Sequence, residues 1–329
     1  MKVSIIGASG NVGSESAFSL AEKEYVDELV LISRESSIEK IKGESLDIYD
    51  ALAAMGTDLS IETSSKMEQI EDSDVIVLTA GVARKEKIER MKLAKDNAGI
   101  VADYSQEIFK YSPDSVVLVV TNPVDVMNYV ALKKSGLSKY RVFGLGNHLD
   151  SLRMRNFIAK HFKVHVNEIH TRVIGQHGVH MVPLMSLTAI GGIPIKDFIQ
   201  YEYIPDASDF DVESTIKKVI SAGSEIIGRK GATEYGPAFA ISDVVKTILK
   251  DEKKIFTVSA YLEDEIDGVN DVCLGIPAII GKNGIENFIP IRMDEEEMKR
   301  FIKAYNFVKE NTDTIMKYLH ERNNSPDLV

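Results

Sequence analysis

The feature that most restricts the fold is a glycine-spaced turn near the start of the chain. A short apolar run, Val3-Ser4-Ile5-Ile6, leads into Gly7-Ala8-Ser9-Gly10-Asn11-Val12-Gly13, and an amphipathic pattern follows over 12–21. This is the order in which a buried strand, a phosphate-cradling loop and a helix N-terminus occur. Glycines allow the tight turn and the close approach of backbone N–H groups to a pyrophosphate, whose charge the helix dipole favours. The loop predicts a dinucleotide site at Gly7, Ser9, Gly10, Asn11, Val12 and Gly13. Taken alone, the same spacing also suits a tight turn with no ligand.

The runs 29–33, 75–79 and 116–121 repeat the first one, being short, rich in Val, Ile and Leu, and almost free of charge. Such runs suit strands buried on both faces. Helical patterns over 12–21, 37–54, 91–109 and 124–134 alternate with them. The alternation predicts an α/β fold with a doubly wound, parallel Rossmann sheet and right-handed crossovers. From about residue 145 the pattern loosens. Helices are expected over 149–162, 212–227, 238–250 and 294–319, and strands over 170–174, 254–261 and 272–280. The expected organisation is a dinucleotide-binding domain at 1–144 and an α+β substrate domain at 145–329, with a frayed tail over 323–329.

The end of the second strand speaks to the cofactor. An NAD site carries a carboxylate there, about twenty residues beyond the loop, to bond the ribose 2′-hydroxyl. This chain reads Ser33-Arg34-Glu35-Ser36-Ser37. A carboxylate repels a 2′-phosphate, whereas a hydroxyl donates to it and a guanidinium pairs with it. Ser33, Arg34, Ser36 and Ser37 therefore predict NADP as the preferred cofactor, with NAD as a lesser one. The competing reading leaves Arg34 in solvent and gives the ribose to Glu35.

Charge narrows the partners. Thirty-nine Lys and Arg stand against 50 Asp and Glu, a net charge of −11. An acidic chain without a basic cluster suits neither nucleic acid nor an anionic membrane surface. The single cysteine, Cys273, forms no internal disulfide and reads as a small core residue. The N-terminal apolar run is too short for a signal peptide, and no run is long enough to span a bilayer, so the expected location is the cytoplasm. His161 and His165 have the spacing of a zinc pair but no third ligand, so no metal is expected. Asp294-Glu295-Glu296-Glu297 reads as a solvated, dipole-complementing helix start.

Four further segments carry chemistry. They are Gly81-Val82-Ala83-Arg84-Lys85-Glu86-Lys87-Ile88-Glu89-Arg90, Thr121-Asn122-Pro123-Val124-Asp125, Asn147-His148-Leu149-Asp150-Ser151-Leu152-Arg153 and Gly175-Gln176-His177-Gly178. Arginines suit a dicarboxylate through bidentate pairing. A histidine shuttles a hydroxyl proton, and an aspartate holds its tautomer and stabilises the imidazolium. Arg90 alone also reads as a helix-face partner of Glu86 or Glu89.

With these segments in view, the chain resembles the lactate/malate dehydrogenase family over nearly its whole length, on its archaeal, NADP-using malate side. The resemblance rests on GASGNVG, TAGVARKEKIER, VTNPVDV, GLGNHLDSLR and IGQHG in that order. It implies a malate dehydrogenase, the tricarboxylic acid cycle reaction between malate and oxaloacetate, with His177 and Asp150 as the proton-transfer pair. Arg153 would clamp one carboxylate, Arg90 would close over the substrate, and Arg84 would sit where malate and lactate enzymes differ. Asn122 would touch substrate and nicotinamide ribose; Thr79, Ala80, Gly81, Asn97, Val120 and Thr121 would lie by the cofactor. A homodimer or homotetramer is implied, with the helix over 37–54 at a subunit contact.

The chain departs from the family pattern at Val179 and His180, where Asp and then Ser or Thr are usual, and at Ala83, where Pro is usual. Thr233 falls where lactate enzymes favour Thr. These departures keep open a lactate or broader 2-hydroxy-acid dehydrogenase, and, more remotely, a non-catalytic nucleotide sensor.

Overall fold

The computed structural model describes residues 1–82, 90–201 and 205–324, Arg90 by its backbone alone. Strands β1 (Lys2–Ile6), β2 (Glu28–Ile32), β3 (Ser60–Ser64), β4 (Val75–Leu78), β5 (Val116–Val119) and β6 (Val142–Gly144) alternate with helices α1 (Asn11–Ala21), α2 (Ile38–Met55), α3 (Arg90–Tyr111) and α4 (Val124–Ser135). The six strands pair in parallel in the order β3-β2-β1-β4-β5-β6. This is the doubly wound order, whose ligand crevice opens where the strand order reverses, between β1 and β4. The apolar runs are strands because helices cover both faces: Val3, Ile5 and Ile6 are buried, as are all of β4 and β5.

Register places the site. Ile6 pairs with Ile32 and Leu78, Leu78 with Val119, and Val119 with Gly144. Five strands therefore end level, and the residues that follow them, Gly7, Ser33, Thr79, Val120 and Leu145, emerge along one edge.

The second half comprises α5 (Asn147–Phe162), β7 (Ile169–His170), β8 (Val173–Gly175), β9 (Met181–Pro183), β10 (Ala189–Ile190), β11 (Ile193–Pro194), α6 (Ile195–Gln200), α7 (Val212–Lys230), α8 (Tyr235–Leu249), β12 (Lys254–Ile266), β13 (Val269–Gly281), β14 (Gly284–Phe288) and α9 (Glu295–Asn324). β12 joins β6 at Ser259 and Gly144, and β13 joins β8 at Gly275 and Gly175, so one eleven-stranded sheet runs through both halves. A small antiparallel sheet, β11-β10-β7, stands apart.

Three expectations change. The strand expected over 170–174 is two strands: β7 pairs with β10, while β8 pairs with β9 and β13. Between them the Thr171 and Thr188 hydroxyls share a 2.8 Å hydrogen bond. β3 and β6 were not foreseen, because Ser60–Ser64 is an edge strand of mixed polarity and β6 has three residues. The acids at the start of α9 are not all solvated. Glu297 is buried, accepts from the Asp294 N–H at 3.0 Å and from the Ser186 hydroxyl at 2.7 Å, while Asp294 accepts the Glu297 N–H at 2.8 Å. This is a capping box that also pins the 185–187 turn. α9 runs to Asn324, and the rest of the tail lies outside the described residues.

Candidate active site

The glycine loop divides its labour. Gly7 has φ +95°, and a Cβ there would lie 2.5 Å from the Ala80 nitrogen. A Cβ on Gly13 would lie 2.5 Å from the Gly7 carbonyl oxygen. These two are glycine because backbone passes against them. Gly10 is exposed and a Cβ there would meet only the Gly7 carbonyl, at 3.4 Å. It is the N-cap of α1, and no side chain caps that helix. An open face with unclaimed first-turn N–H groups fits a pyrophosphate; Ser9, Asn11 and Val12 complete the loop.

The opposite bank is Thr79, Ala80 and Gly81. The Thr79 hydroxyl donates to the Ile6 carbonyl at 3.0 Å, and the Thr121 hydroxyl to the Ala80 carbonyl at 2.8 Å. Asn97, buried on α3, accepts the Val82 N–H at 2.7 Å and donates to the Asn122 carbonyl at 2.8 Å. The Thr79 bond thus ties this bank to the end of β1, while Thr121 and Asn97 link the ends of β4 and β5 to α3; Val120 is half-buried and the Asn122 side chain is exposed.

At the far end of the cleft Ser33 is buried, and its hydroxyl donates to the Arg34 carbonyl at 3.1 Å. Arg34 and Ser36 are exposed, and Ser37 is half-buried. Glu35, the competing ribose partner, accepts a hydrogen bond from Ser65. One cation here escaped the sequence reading. Lys40, in the first turn of α2, donates to the Ser9 carbonyl at 2.7 Å. A lysine there opposes the helix dipole, and that mismatch was the available signal.

His177 and Asp150, the pair expected to transfer the proton, are brought together by α5 and the loop after β8. Asp150 and Arg153 are three apart on α5 and share a face. Asp150 is fully buried; its Oδ2 lies 2.7 Å from His177 Nδ1 and its Oδ1 3.3 Å from Arg153 Nη1. The Asn147 amide donates to the same Oδ2 at 3.2 Å and to the Gln176 carbonyl at 3.4 Å. β13 passes so close that a Cβ on Gly275 would lie 1.8 Å from the Asn147 oxygen. The His177 side chain is 19% exposed and that of Arg153 16%. Burial alone would lower the His177 pKa, but the Asp150 carboxylate beside it outweighs that and raises it. The loop's main chain is held by Asp125 of α4, which accepts the His177 N–H at 2.8 Å. Burial lifts the Asp125 carboxyl to about 6. The ring is therefore engaged through Nδ1, and Nε2 is the nitrogen available for proton exchange.

The sequence-derived set is partly united. Asp150, Arg153 and His177 come together, and Asn122 sits three residues from Asp125 on the same turn into α4. Arg84 lies outside the described residues, as do Ala83 and the Arg90 side chain. Asn147 and Asp125 were not singled out from sequence, since an amide and a helix-borne carboxylate carry no spacing signal of their own. Other histidines pack: His161 lies edge-on to Phe162 and Phe210, and His180 lies against Phe307. Among the described residues no three His, Cys, Asp or Glu side chains group so as to hold a metal ion. No helix among them is long and apolar enough to cross a membrane.

Comparison with known proteins identifies the family. Residues 1–144 match the family model for the lactate/malate dehydrogenase NAD binding domain, and residues 147–319 the model for its alpha/beta C-terminal domain. The chain is 56% identical over 321 residues to a malate dehydrogenase of Methanothermobacter thermautotrophicus, covering 98% of this chain and 99% of that protein. It is 47% identical over 317 residues to an L-2-hydroxycarboxylate dehydrogenase (NAD(P)(+)) of Methanocaldococcus jannaschii, covering 96% and 99%. The solved malate dehydrogenase of Aeropyrum pernix superposes with a TM-score of 0.86 at 34% identity, covering 95% of this chain and 98% of that one. The chain belongs to the lactate/malate dehydrogenase family of oxidoreductases.

Proposed function

We propose that this chain is a malate dehydrogenase that prefers NADP(H) and interconverts malate and oxaloacetate. The observation that carries the reading is the buried Asp150 bridging His177 Nδ1 and the Arg153 guanidinium. It is supported by the malate dehydrogenase named above at 56% identity.

The cofactor would be held by Gly7, Gly10 and the α1 N-terminus at its pyrophosphate. Thr79, Ala80, Gly81, Val120 and Thr121 would line its path. Arg34, Ser36 and Ser37 would stand at its 2′-phosphate. Lys40 adds a second cation beside the same loop. When bound, the nicotinamide supplies hydride exchange at the substrate's C2. His177 takes the C2 hydroxyl proton at Nε2 during malate oxidation and returns it during oxaloacetate reduction. Asp150 keeps the proton of neutral His177 on Nδ1 and stabilises the imidazolium. Arg153 pairs with the C1 carboxylate, Arg84 with the second carboxylate, and Arg90 with the C2 oxygen. Asn122 orients the carbonyl.

A second reading, a broader 2-hydroxy-acid dehydrogenase, is favoured by the exposed Val179, by Thr233 and by the M. jannaschii relative's name. The intact His177, Asp150 and Arg153 set argues against a non-catalytic sensor. Phe18 of α1, Leu46, Tyr49 and Met55 of α2, and Tyr235 and Phe239 of α8 are exposed apolar side chains on neighbouring helices. That surface supports a homodimer or homotetramer, and the cytoplasm is the proposed location.

The test is a matrix of initial rates with oxaloacetate and pyruvate, each against NADPH and NADH. Oxaloacetate with NADPH should be fastest. Pyruvate as the better substrate would select the second reading, and equal rates with both cofactors would remove the NADP preference.

A further inference from the structure

The site contains a second buried carboxylate that the proton-transfer scheme leaves without a role. Asp125 is 3% exposed, in the first turn of α4, three residues beyond Asn122. Both of its oxygens are engaged. Oδ2 accepts the His177 main-chain N–H at 2.8 Å, and Oδ1 accepts the Ser259 hydroxyl at 2.7 Å. Ser259 lies on β12 at the point where that strand joins β6. One carboxylate therefore ties together the turn bearing Asn122, the strand that joins the two halves of the sheet, and the loop bearing His177.

We propose that Asp125 is a positioning residue for His177, fixing its main chain as Asp150 fixes its ring. The inference rests on the reading of His177 as the proton-transfer group. Its loop is short and turns through Gly175 at φ +80° and Gly178, so His177 depends on side-chain anchors for its place. The ring bond to Asp150 constrains Nδ1 but leaves the chain free to pivot about it. The bond to Asp125 removes that freedom, so Nε2 stays where the C2 oxygen arrives. Hydrogen bonds, not charge, do this work. An asparagine can direct its oxygen to the His177 N–H and its amino group to the Ser259 oxygen, which accepts as readily as it donates.

The test compares D125N and D125L, with turnover and the NMR signal of the His177 ring as readouts. That signal is assigned by its loss in H177N. D125L fills the space but accepts no hydrogen bond. It should displace or broaden the ring signal and lower kcat about a hundredfold, the scale of a misplaced catalytic group. The KM for oxaloacetate and the Kd for NADPH should stay within about threefold. D125N should restore the ring signal and most of the turnover. A folded D125L with wild-type ring signal and kcat overturns the proposal. A folded D125N as impaired as D125L overturns the hydrogen-bond account. If D125L does not fold, S259A decides: removing the lateral bond should lower kcat with KM unchanged, and an unaltered kcat overturns the proposal. Wild-type protein that reduces no 2-keto acid refutes the functional reading, while the ring signal still decides the role of Asp125.

Discussion

Asp150→Asn is the most informative single change in the proposed proton-transfer group, because each carboxylate oxygen faces donors. Oδ1 faces Arg153 at 3.3 Å, and Oδ2 faces His177 at 2.7 Å and Asn147 at 3.2 Å. An asparagine must turn its amino group toward one side. Toward Arg153 it sets donor against donor and loosens the guanidinium that would hold the C1 carboxylate. Toward His177 it makes Nδ1 an acceptor and moves the ring proton to Nε2, the tautomer that cannot take a proton from substrate. Asp150 is fully buried, so solvent screening does not soften the loss. A hydrogen bond to a charged group contributes about 1.5–3 kcal/mol, or roughly ten- to 150-fold in rate. The wrong tautomer pushes the loss further, toward the 10²–10⁴-fold range of general acid–base catalysis. We expect kcat for oxaloacetate reduction to fall at least about a hundredfold, with the NADPH dissociation constant, followed by cofactor fluorescence, nearly unchanged. A folded D150N protein that binds NADPH normally and keeps more than a tenth of wild-type kcat refutes this reasoning.

Three further outcomes are expected. Arg84→Gln should shift the oxaloacetate-to-pyruvate preference by roughly thirty- to a hundredfold or more, since on the proposed reading it removes a charged bond of about 2–3 kcal/mol to a carboxylate that pyruvate lacks; an unchanged ratio removes Arg84 from the substrate site. Ser33→Asp combined with Arg34→Ile should weaken NADPH use by roughly ten- to two-hundredfold and spare NADH use; wild-type protein that binds both equally in dilute buffer leaves Arg34 a surface charge. Because Asp150 raises the His177 pKa, oxaloacetate reduction, which consumes the imidazolium, should persist above the pH near 6.5 at which a free imidazole loses its proton. Malate oxidation, which starts from the neutral ring, should stay low over that interval and gain only at the higher pH where the retained proton is lost, and pH–rate profiles in both directions check the sign.

The parts legible in the sequence were those with a strong local signal. Four apolar runs and a glycine spacing sufficed for β1, β2, β4 and β5 and for the edge along which their ends emerge. His177, Asp150 and Arg153 were legible as motif members, but their 2.7 and 3.3 Å contacts depend on α5 lying against β8, which no local pattern encodes. β3 was illegible because Ser-Ile-Glu-Thr-Ser mixes polar and apolar residues, as an edge strand half open to solvent does. The break between β7 and β8 was hidden because the two pieces turn to different partners, β7 to β10 and β8 to β9 and β13, which no local pattern encodes. Asp125 and Lys40 were passed over for the same reason. Their partners, His177 with Ser259 and Ser9, are brought near only by tertiary structure.

The role of His177 is tested most directly by the turnover of His177→Asn at saturating NADPH and oxaloacetate, measured on protein whose NADPH binding has been confirmed by titration. Removing the proposed general acid–base should lower kcat by roughly a hundredfold or more, with cofactor affinity unchanged because the glycine loop is built from other strands. A variant that binds NADPH and turns over at close to the wild-type rate contradicts the assignment of proton transfer to His177.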